Sequence, residues 1–398
     1  MSGFDTKRID RLADVMARHA AQDDVGGVAW LAARDDDVEI GTAGVLTRGD
    51  AAPIERDTVF RIASMSKPIA AVAALLLIEE CRLRLDDPVD DLLPELANRQ
   101  VLLDPLGPVD GPTEPAHRPI TVHDVLTFRL GYGMGFDWPW PQPFLDVTQE
   151  RGIATAPPQP QLAPDPDTWI RELGALPLLH QPGARWLYHY GSEVLGVLIA
   201  RASGQPFSEF LAERVFEPLG MHDTSFFASD PTRLTSCYTR NPETGAIECF
   251  DPPAGDWATM PAFPSGGGGL VSTVDDFFAF GRMLLADGQL PDGSRLLSRA
   301  SVEAMTTDQI GAGPGVPGPS MDGSLGWGFG VGVQVRRVGL VPTVGGYGWT
   351  GGLGSAWGND PTERLVTIVL TTDAFTSAFP LPAVIQDFFT TVYSSFDD

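Results

Sequence analysis

The strongest constraint on the fold is the stretch from Ser64 to Ile78, in which Ser-Met-Ser-Lys-Pro is followed by an unbroken apolar run, 69–78. Proline is tolerated in a helix only within the first turn, so Pro68 predicts that a helix begins close to Ser64. A helix that is apolar on all sides is normally buried. We therefore predict a central core helix against which the rest of the chain packs.

The start of this helix also carries candidate chemistry. Ser64 and Lys67 are three residues apart and therefore share a helix face. A serine hydroxyl is a weak nucleophile until a base takes its proton, and a lysine in a dry site can serve as that base. Lys7 and Lys67 are the two lysines among 27 basic residues, and arginine could not replace a lysine that must lose its proton. The pattern predicts a serine acyl-hydrolase.

Composition narrows the remaining classes. A length of 398 residues predicts two subdomains or one large α/β fold. The net charge of −25 argues against nucleic acid and anionic membranes as partners. The sequence shows no signal-peptide core and no apolar run of membrane-spanning length, so we expect a cytoplasmic protein. Cys81, Cys237 and Cys249 are too few for a disulfide framework; Cys237 could pair with Cys249, but the cytosol would keep both reduced.

Strand patterns lie at both ends of the chain, and helical patterns lie between them. We predict strands at 26–33 and 38–41, and again within 325–335, 345–358 and 365–371. Amphipathic or apolar helices are predicted near the N-terminus and at 381–393. This arrangement indicates an α+β fold, with residues 1–85 and 265–398 forming one subdomain and residues 86–264 an inserted, mostly helical one.

The inserted segment has its own landmarks. Helices are predicted at 168–178, 192–203 and 207–216, and Thr121 with Asp124 is typical of a helix start. Residues 132–166 are rich in proline and aromatic residues, which is typical of a long loop that carries function or forms a lid. The glycine run at 265–269 predicts a turn where the backbone passes close to another group.

Three motifs in order give the chain a family resemblance. Residues 64–67 read Ser-Met-Ser-Lys, residues 182–190 read Pro-Gly-Ala-Arg-Trp-Leu-Tyr-His-Tyr, and residues 349–352 read Trp-Thr-Gly-Gly, while 267–273 resembles a further signature. From about residue 8 to 389 the sequence resembles the class C β-lactamase and penicillin-binding protein superfamily, and within it the family VIII carboxylesterases. The resemblance implies a β-lactamase-like fold, an antiparallel sheet flanked by helices.

Two positions depart from the β-lactamase pattern. Tyr190 stands where the tyrosine motif has asparagine, and Trp349 stands where the third motif usually has lysine or histidine. In β-lactamases those polar groups hold the amide and carboxylate of the drug. Esterases of the superfamily commonly show such replacements, so the resemblance implies neutral, short-chain or bulky esters as substrates.

The resemblance also implies a mechanism. Ser64 would attack the ester carbonyl, Lys67 and Tyr188 would share the general-base work and titrate as a unit, and Tyr188 would protonate the leaving alcohol. The backbone N–H groups of Ser64 and Gly352 would form the oxyanion hole. The substrate pocket is expected to use Trp349, Thr350, Gly351, Tyr190, Tyr132, Trp138 and Trp140.

Other functions remain open at this point. The same superfamily includes β-lactamases, D-amino-acid peptidases and acyltransferases, and a non-catalytic ligand sensor could keep the fold. The six histidines show no metal-ligand spacing, so we expect neither metal nor cofactor. No serine lies in Gly-x-Ser-x-Gly, which disfavours an α/β-hydrolase. His189 is expected to have a structural or solvent role, and the expected partner is a small-molecule ester.

Overall fold

The computed structural model of the chain describes residues 3–154, 157–313, 315–340, 342–375 and 380–397. Its strands are β1 (Gly27–Arg34), β2 (Asp37–Gly44), β3 (Phe60–Arg61), β4 (Gln100–Leu102), β5 (Thr113–Pro115), β6 (Cys237–Arg240), β7 (Ile247–Asp251), β8 (Val271–Ser272), β9 (Leu325–Trp327), β10 (Gly332–Gln334), β11 (Tyr347–Gly351), β12 (Ser355–Asp360) and β13 (Leu365–Thr371). Its α-helices are α1 (Thr6–Ile9), α2 (Arg11–Ala21), α3 (Ser66–Glu79), α4 (Val122–Leu126), α5 (Pro143–Glu150), α6 (Pro166–Gly174), α7 (Tyr190–Ser203), α8 (Phe207–Leu211), α9 (Glu217–Leu219), α10 (Val274–Leu285), α11 (Arg299–Met305) and α12 (Ala383–Tyr393).

A seven-stranded sheet joins the two ends of the chain. Its strand order is β2-β1-β13-β12-β11-β10-β9, and every pairing is antiparallel. The first strand of the chain therefore pairs with the last, with Val28 opposite Thr371 and Arg34 opposite Leu365. This arrangement confirms the predicted α+β class with an antiparallel sheet flanked by helices.

Alternation along β1 shows how the sheet is covered on both faces. Val28 and Trp30 belong to a core cluster that includes side chains of α2 and α12, whereas Ala29 and Leu31 belong to the larger cluster that includes α3 and α10. Because successive strand residues point to opposite faces, one strand contributes to both clusters. Helices therefore pack on each side of the sheet.

The central helix is α3, and its burial confirms the sequence prediction. Every residue of α3 from Ser66 to Leu77 is buried. A short 3-10 turn, Ala63–Met65, leads directly into it and carries Ser64. Pro68 lies in the first turn of α3, where its missing N–H costs nothing.

The inserted segment 86–264 contains α4 to α9 together with two small strand pairs, β4–β5 and β6–β7. Thr121 and Asp124 form the predicted capping box at the start of α4. Gly204 ends α7 with a left-handed φ of 73°. Within 132–166 the chain forms α5, while residues 155 and 156 lie outside the described part, and a lid role for this segment stays a prediction. The division into two subdomains also stays a prediction.

Two predicted strands are each split in the structure. The 325–335 stretch forms β9 and β10, because Gly330 turns the chain with a φ of 71°, and a Cβ there would lie 2.8 Å from the Lys67 carbonyl oxygen. The 345–358 stretch forms the hairpin of β11 and β12. Both turns approach the start of the central helix: Gly330 lies against Lys67, and the β11–β12 hairpin contacts the 3-10 turn that carries Ser64.

Within the described ranges, no helix combines the length and the apolar character that crossing a membrane requires. Cys81, Cys237 and Cys249 are all free thiols, so the 237–249 pairing considered above is not formed.

Candidate active site

The nucleophile candidate lies at the entrance of the core helix. Ser64 retains 8% of its surface exposed, whereas Lys67, one turn further along, has none. The Lys67 Nζ atom lies 2.9 Å from Ser64 Oγ and donates a second hydrogen bond of 2.5 Å to the Gly267 carbonyl oxygen. A reachable hydroxyl is thus in direct contact with a dry amine.

Burial changes the protonation of that amine. Removal from water lowers the pKa of Lys67 to about 7, and the negative charge of Glu193 opposes part of this effect. A lysine with its ordinary pKa would be almost fully protonated at neutral pH. In this site a substantial fraction is the neutral amine, which can accept the serine proton.

Tyr188 completes the trio that the sequence predicted. Its main chain pairs with Met134 through two backbone hydrogen bonds, which fix the segment over the site. The Lys67 Nζ atom lies 4.7 Å from the centre of the Tyr188 ring. Burial raises the pKa of the Tyr188 phenol, and its hydrogen bonds with Ser64 and Trp349 oppose that shift. The phenol is therefore neutral in the resting site and able to donate a proton.

Trp349 has a contact that the sequence analysis did not anticipate. It lies on β11, and its indole Nε1–H donates a 2.7 Å hydrogen bond to the Tyr188 phenol oxygen. Its ring packs edge-on against Trp327, with centroids 4.7 Å apart. The residue that replaces the polar group of the third motif thus orients the candidate acid–base residue.

The end of β11 lies beside the nucleophile. Gly351 approaches the residue before the Ser64 turn so closely that a Cβ would lie 2.2 Å from the Ile62 carbonyl oxygen. Gly352 follows in the exposed turn, where an added Cβ would meet no atom within 4 Å. These positions are compatible with an oxyanion hole between Ser64 and Gly352, which stays a prediction. Thr350 alternates with Trp349 along the strand and is half-buried.

Two predicted pocket tyrosines lie in the core instead. Tyr190 is fully buried, donates a hydrogen bond to Thr148 and packs against Phe144. Tyr132 is also fully buried; it donates to the Leu176 carbonyl oxygen, and burial raises its pKa to about 12. The structure therefore does not bring these two side chains to the Ser64 hydroxyl.

The two predicted loop tryptophans also lie apart from the trio. Trp138 is half-buried and packs against Arg185 and His180. Trp140 is 65% exposed. Neither contacts Ser64, Lys67 or Tyr188 through any interaction seen in the described residues.

The apolar wall near Tyr188 comes from other residues. Phe128, Trp186 and Trp327 form a buried cluster with Tyr188 and Trp349. Four partly buried side chains extend this cluster toward the surface: Met134, Phe136, Ile310 and Leu325. These residues come from four separate stretches of the chain, 128–136, 186–188, 310–327 and 349, so sequence spacing alone could not group them.

Sequence reasoning also missed two buried polar residues beside Lys67. His189 is 2% exposed, which makes the expected solvent role wrong, and its Nδ1 lies 3.4 Å from Lys67 Nζ. Its Nε2 lies 3.0 Å from a carboxylate oxygen of Glu193, which is 1% exposed. The available signal was the spacing of four residues between a histidine and a carboxylate on an otherwise apolar helix.

The glycine turn predicted to pass close to another group does so at Gly267. A Cβ at that position would lie 2.5 Å from Glu193 Oε1 and 2.7 Å from His189 Nε2. Only a glycine lets the main chain approach closely enough for its carbonyl to accept the Lys67 hydrogen bond.

Comparisons with known proteins show what this chain is similar to. The family model described as Beta-lactamase matches residues 12–387. Protein Rv1367c of Mycobacterium tuberculosis is 36% identical over 358 residues, covering 87% of this chain and 85% of that protein. Esterase EstB of Burkholderia gladioli is 30% identical over 402 residues, covering 96% of this chain and 94% of the esterase.

Among solved structures, the chain is similar to EstCE1, described as a hydrolase with promiscuous acyltransferase activity. The two share a TM-score of 0.78 and 25% sequence identity, over 96% of this chain and 99% of EstCE1.

Proposed function

Because this chain belongs to the beta-lactamase family of serine hydrolases, we propose that it is a carboxylesterase that cleaves neutral, short-chain esters through an acyl-enzyme on Ser64. The observation that carries the proposal is the 2.9 Å contact between the Lys67 amine and the Ser64 hydroxyl, with the centre of the Tyr188 ring 4.7 Å from the same amine. The relatives that are named as esterases support the same reaction class.

The first chemical step follows from the protonation states. Neutral Lys67 takes the Ser64 proton as the serine oxygen bonds to the ester carbonyl carbon, and the carbonyl π electrons move to its oxygen. Collapse of this intermediate breaks the bond to the alkoxy group, which takes a proton from the Tyr188 phenol. The Lys67 ammonium then returns a proton to Tyr188, so the base is restored.

The second half reverses these roles. A water molecule attacks the acyl carbonyl and gives its proton to the site bases, and the bond to Ser64 breaks as the serine oxygen is reprotonated. In both halves negative charge develops on the carbonyl oxygen. The N–H groups of Ser64 and Gly352 are the proposed donors to that oxygen.

The surroundings support an uncharged substrate. Trp349 occupies the place of a cation in the third motif, and its N–H group is already engaged by Tyr188. Phe136 and Leu325, two partly buried members of the cluster around Tyr188, are apolar. Burying an apolar group of the substrate against these side chains is favourable. The same side chains offer a carboxylate no charged or hydrogen-bonding partner.

A panel of p-nitrophenyl esters assayed beside nitrocefin tests the proposal. We expect acetate and butyrate esters to be hydrolysed well above a Ser64→Ala control, and nitrocefin to be turned over weakly at most. Ester hydrolysis no faster than with the control would overturn the esterase proposal. Nitrocefin turnover equal to ester turnover would favour a β-lactamase instead.

A second candidate function, acyl transfer, is favoured by the likeness to EstCE1, whose description names that activity. An acyl-enzyme that is attacked by an alcohol instead of water gives a new ester. Adding an acceptor alcohol to the assay and quantifying ester against free acid distinguishes the two outcomes.

The remaining alternative is a non-catalytic ligand sensor. A fluorophosphonate that labels Ser64, combined with multiple turnovers of ester, rules it out. Stoichiometric acylation without turnover would favour it.

A further inference from the structure

Two buried polar residues lie next to the candidate base: His189 contacts Lys67, and Glu193 contacts His189. His189 Nδ1 lies 3.4 Å from Lys67 Nζ, and His189 Nε2 lies 3.0 Å from Glu193 Oε1. The carboxylate oxygen also accepts a 2.7 Å hydrogen bond from Ser265 Oγ. The side chains of Ser64, Lys67, His189 and Glu193 therefore form an unbroken chain of contacts in that order.

The backbone at His189 is strained in a way that creates this contact. Its φ is 86° and its ψ is −59°, a conformation that non-glycine residues rarely adopt. Consecutive residues of an extended chain point to opposite sides. Here the reversal at His189 lets both the Tyr188 ring and the imidazole face Lys67. Strain of this kind is concentrated at functional sites.

The position of the Glu193 carboxylate carries a cost in folding free energy. Glu193 is 1% exposed, and its Oε2 atom has no hydrogen-bond partner among the residues that the structure describes. A cavity of about 20 Å³ borders it, lined also by Ser265 and Trp169. That volume suits a single water molecule. A buried carboxylate oxygen without a partner carries a desolvation cost that lowers the stability of the fold, so the retention of Glu193 here favours a role for its charge.

We propose that His189 and Glu193 are positioning residues that hold the Lys67 amine against Ser64 and stabilise the ammonium formed when Lys67 accepts the serine proton. In the resting site neutral His189 donates its Nε2–H to Glu193 and presents the Nδ1 lone pair to Lys67. When the serine proton moves to Lys67, the new ammonium donates to Nδ1, and the Glu193 carboxylate balances its charge. His189 keeps a single proton throughout.

The electrostatic environment supports this assignment. The titratable groups that face Lys67 are Tyr188, His189 and Glu193, and the charge of Glu193 raises the pKa of the lysine. Burial and the Lys67 charge lower the pKa of His189 to about 4, so the imidazole is neutral over the working pH range. The inference rests on the proposed function for the identity of the base, but its test does not use catalysis.

Lysine NMR gives a direct measurement, since the chain has two lysines. Protein labelled with [¹³Cε]lysine should show two lysine signals, one from the exposed Lys7 and one from Lys67, and the Lys67 signal should titrate with a midpoint near 7. Glu193→Gln keeps an oxygen that can accept the His189 hydrogen bond but removes the charge. It should lower the Lys67 midpoint by about one pH unit. The matched control Glu303→Gln, at an exposed position on α11, should leave it unchanged.

An unchanged Lys67 midpoint in Glu193→Gln, or a wild-type midpoint near 10, would overturn the proposal. If Glu193→Gln does not fold, ¹⁵N shifts of His189 in the wild-type protein decide the question. A protonated Nε2 and an unprotonated Nδ1 between pH 6 and 8 support the proposal, whereas the opposite tautomer contradicts it. Ester assays on the same samples report separately on the proposed esterase function. Failure of the positioning role and failure of the esterase function can therefore be distinguished.

Discussion

The indole Nε1–H of Trp349 donates a 2.7 Å hydrogen bond to the phenol oxygen of Tyr188, across 161 residues of sequence. The bond fixes the phenol beside Ser64 and occupies one of its acceptor positions. It also stabilises the phenolate, because the donor favours negative charge on that oxygen. The third motif therefore contacts the proposed acid–base residue directly.

Trp349→Phe should lower kcat/KM about tenfold, since removing one hydrogen bond to a buried group costs about 1.4 kcal/mol. Ester hydrolysis measured by initial rates checks this. Trp327→Phe is the matched control, because the Trp327 indole nitrogen is buried without a hydrogen-bond partner in the described residues. Equal losses in the two variants would mean that the ring, and not its N–H group, matters.

The rate should depend on pH through Lys67. Burial lowers its pKa to about 7, and the neutral form is the proposed base. kcat/KM should therefore rise with pH across a midpoint near 7 and fall as the solution is acidified. A pH profile of p-nitrophenyl butyrate hydrolysis, corrected for spontaneous cleavage, measures this. A flat profile between pH 5.5 and 8.5 would exclude Lys67 as the group that titrates.

Lys67→Arg should lose activity by about 10²–10⁴-fold at every pH, because a guanidinium keeps its proton. Purified variant and wild-type protein are compared from pH 6 to 10. The control is Lys7→Arg, which makes the same change at an exposed position and should behave as wild type. Recovery of the Lys67 variant at high pH would show that another group supplies the base.

The proposed oxyanion hole can be tested at Gly352 without adding bulk to the core. Gly352→Pro removes the N–H group and should lower kcat about 10²–10³-fold. Gly352→Ala keeps that N–H, and its Cβ enters open space, so it should retain nearly full activity. Similar activities for the proline and alanine variants would contradict a role for this N–H.

Gly267→Ala should destabilise the protein by about 1–3 kcal/mol, because its Cβ would overlap Glu193 and His189 in a packed interior. Thermal unfolding measures the loss, with Gly352→Ala as the reference for a glycine in open space. An unchanged melting temperature would show that the glycine turn can move away from His189.

The sequence predicted the parts of the site that depend on local chemistry. The apolar run and Pro68 predicted the buried helix and its start, and both are confirmed by α3. The spacing of Ser64 and Lys67 predicted their contact, because residues three apart share a helix face. Family resemblance added Tyr188, which periodicity could not have placed.

The remainder depends on tertiary geometry. Nothing in the local pattern reveals that His189 adopts a positive φ, so its approach to Lys67 could not be predicted. Tyr190 and Tyr132 belong to aromatic-rich segments, but tertiary contacts such as their packing against Phe144 determine that they face the core. The hydrogen bond between Trp349 and Tyr188 joins elements far apart in the chain, and neither motif alone indicates that these two residues are partners.

The most direct test of the central claim is to locate the acyl group after brief reaction with p-nitrophenyl acetate, acid quenching and peptide mass spectrometry. The account predicts an acetyl group on Ser64 in the wild-type protein and none at that position in Lys67→Arg. Ester turnover without acylation of Ser64, or acylation of a different residue that accounts for the turnover, would contradict it.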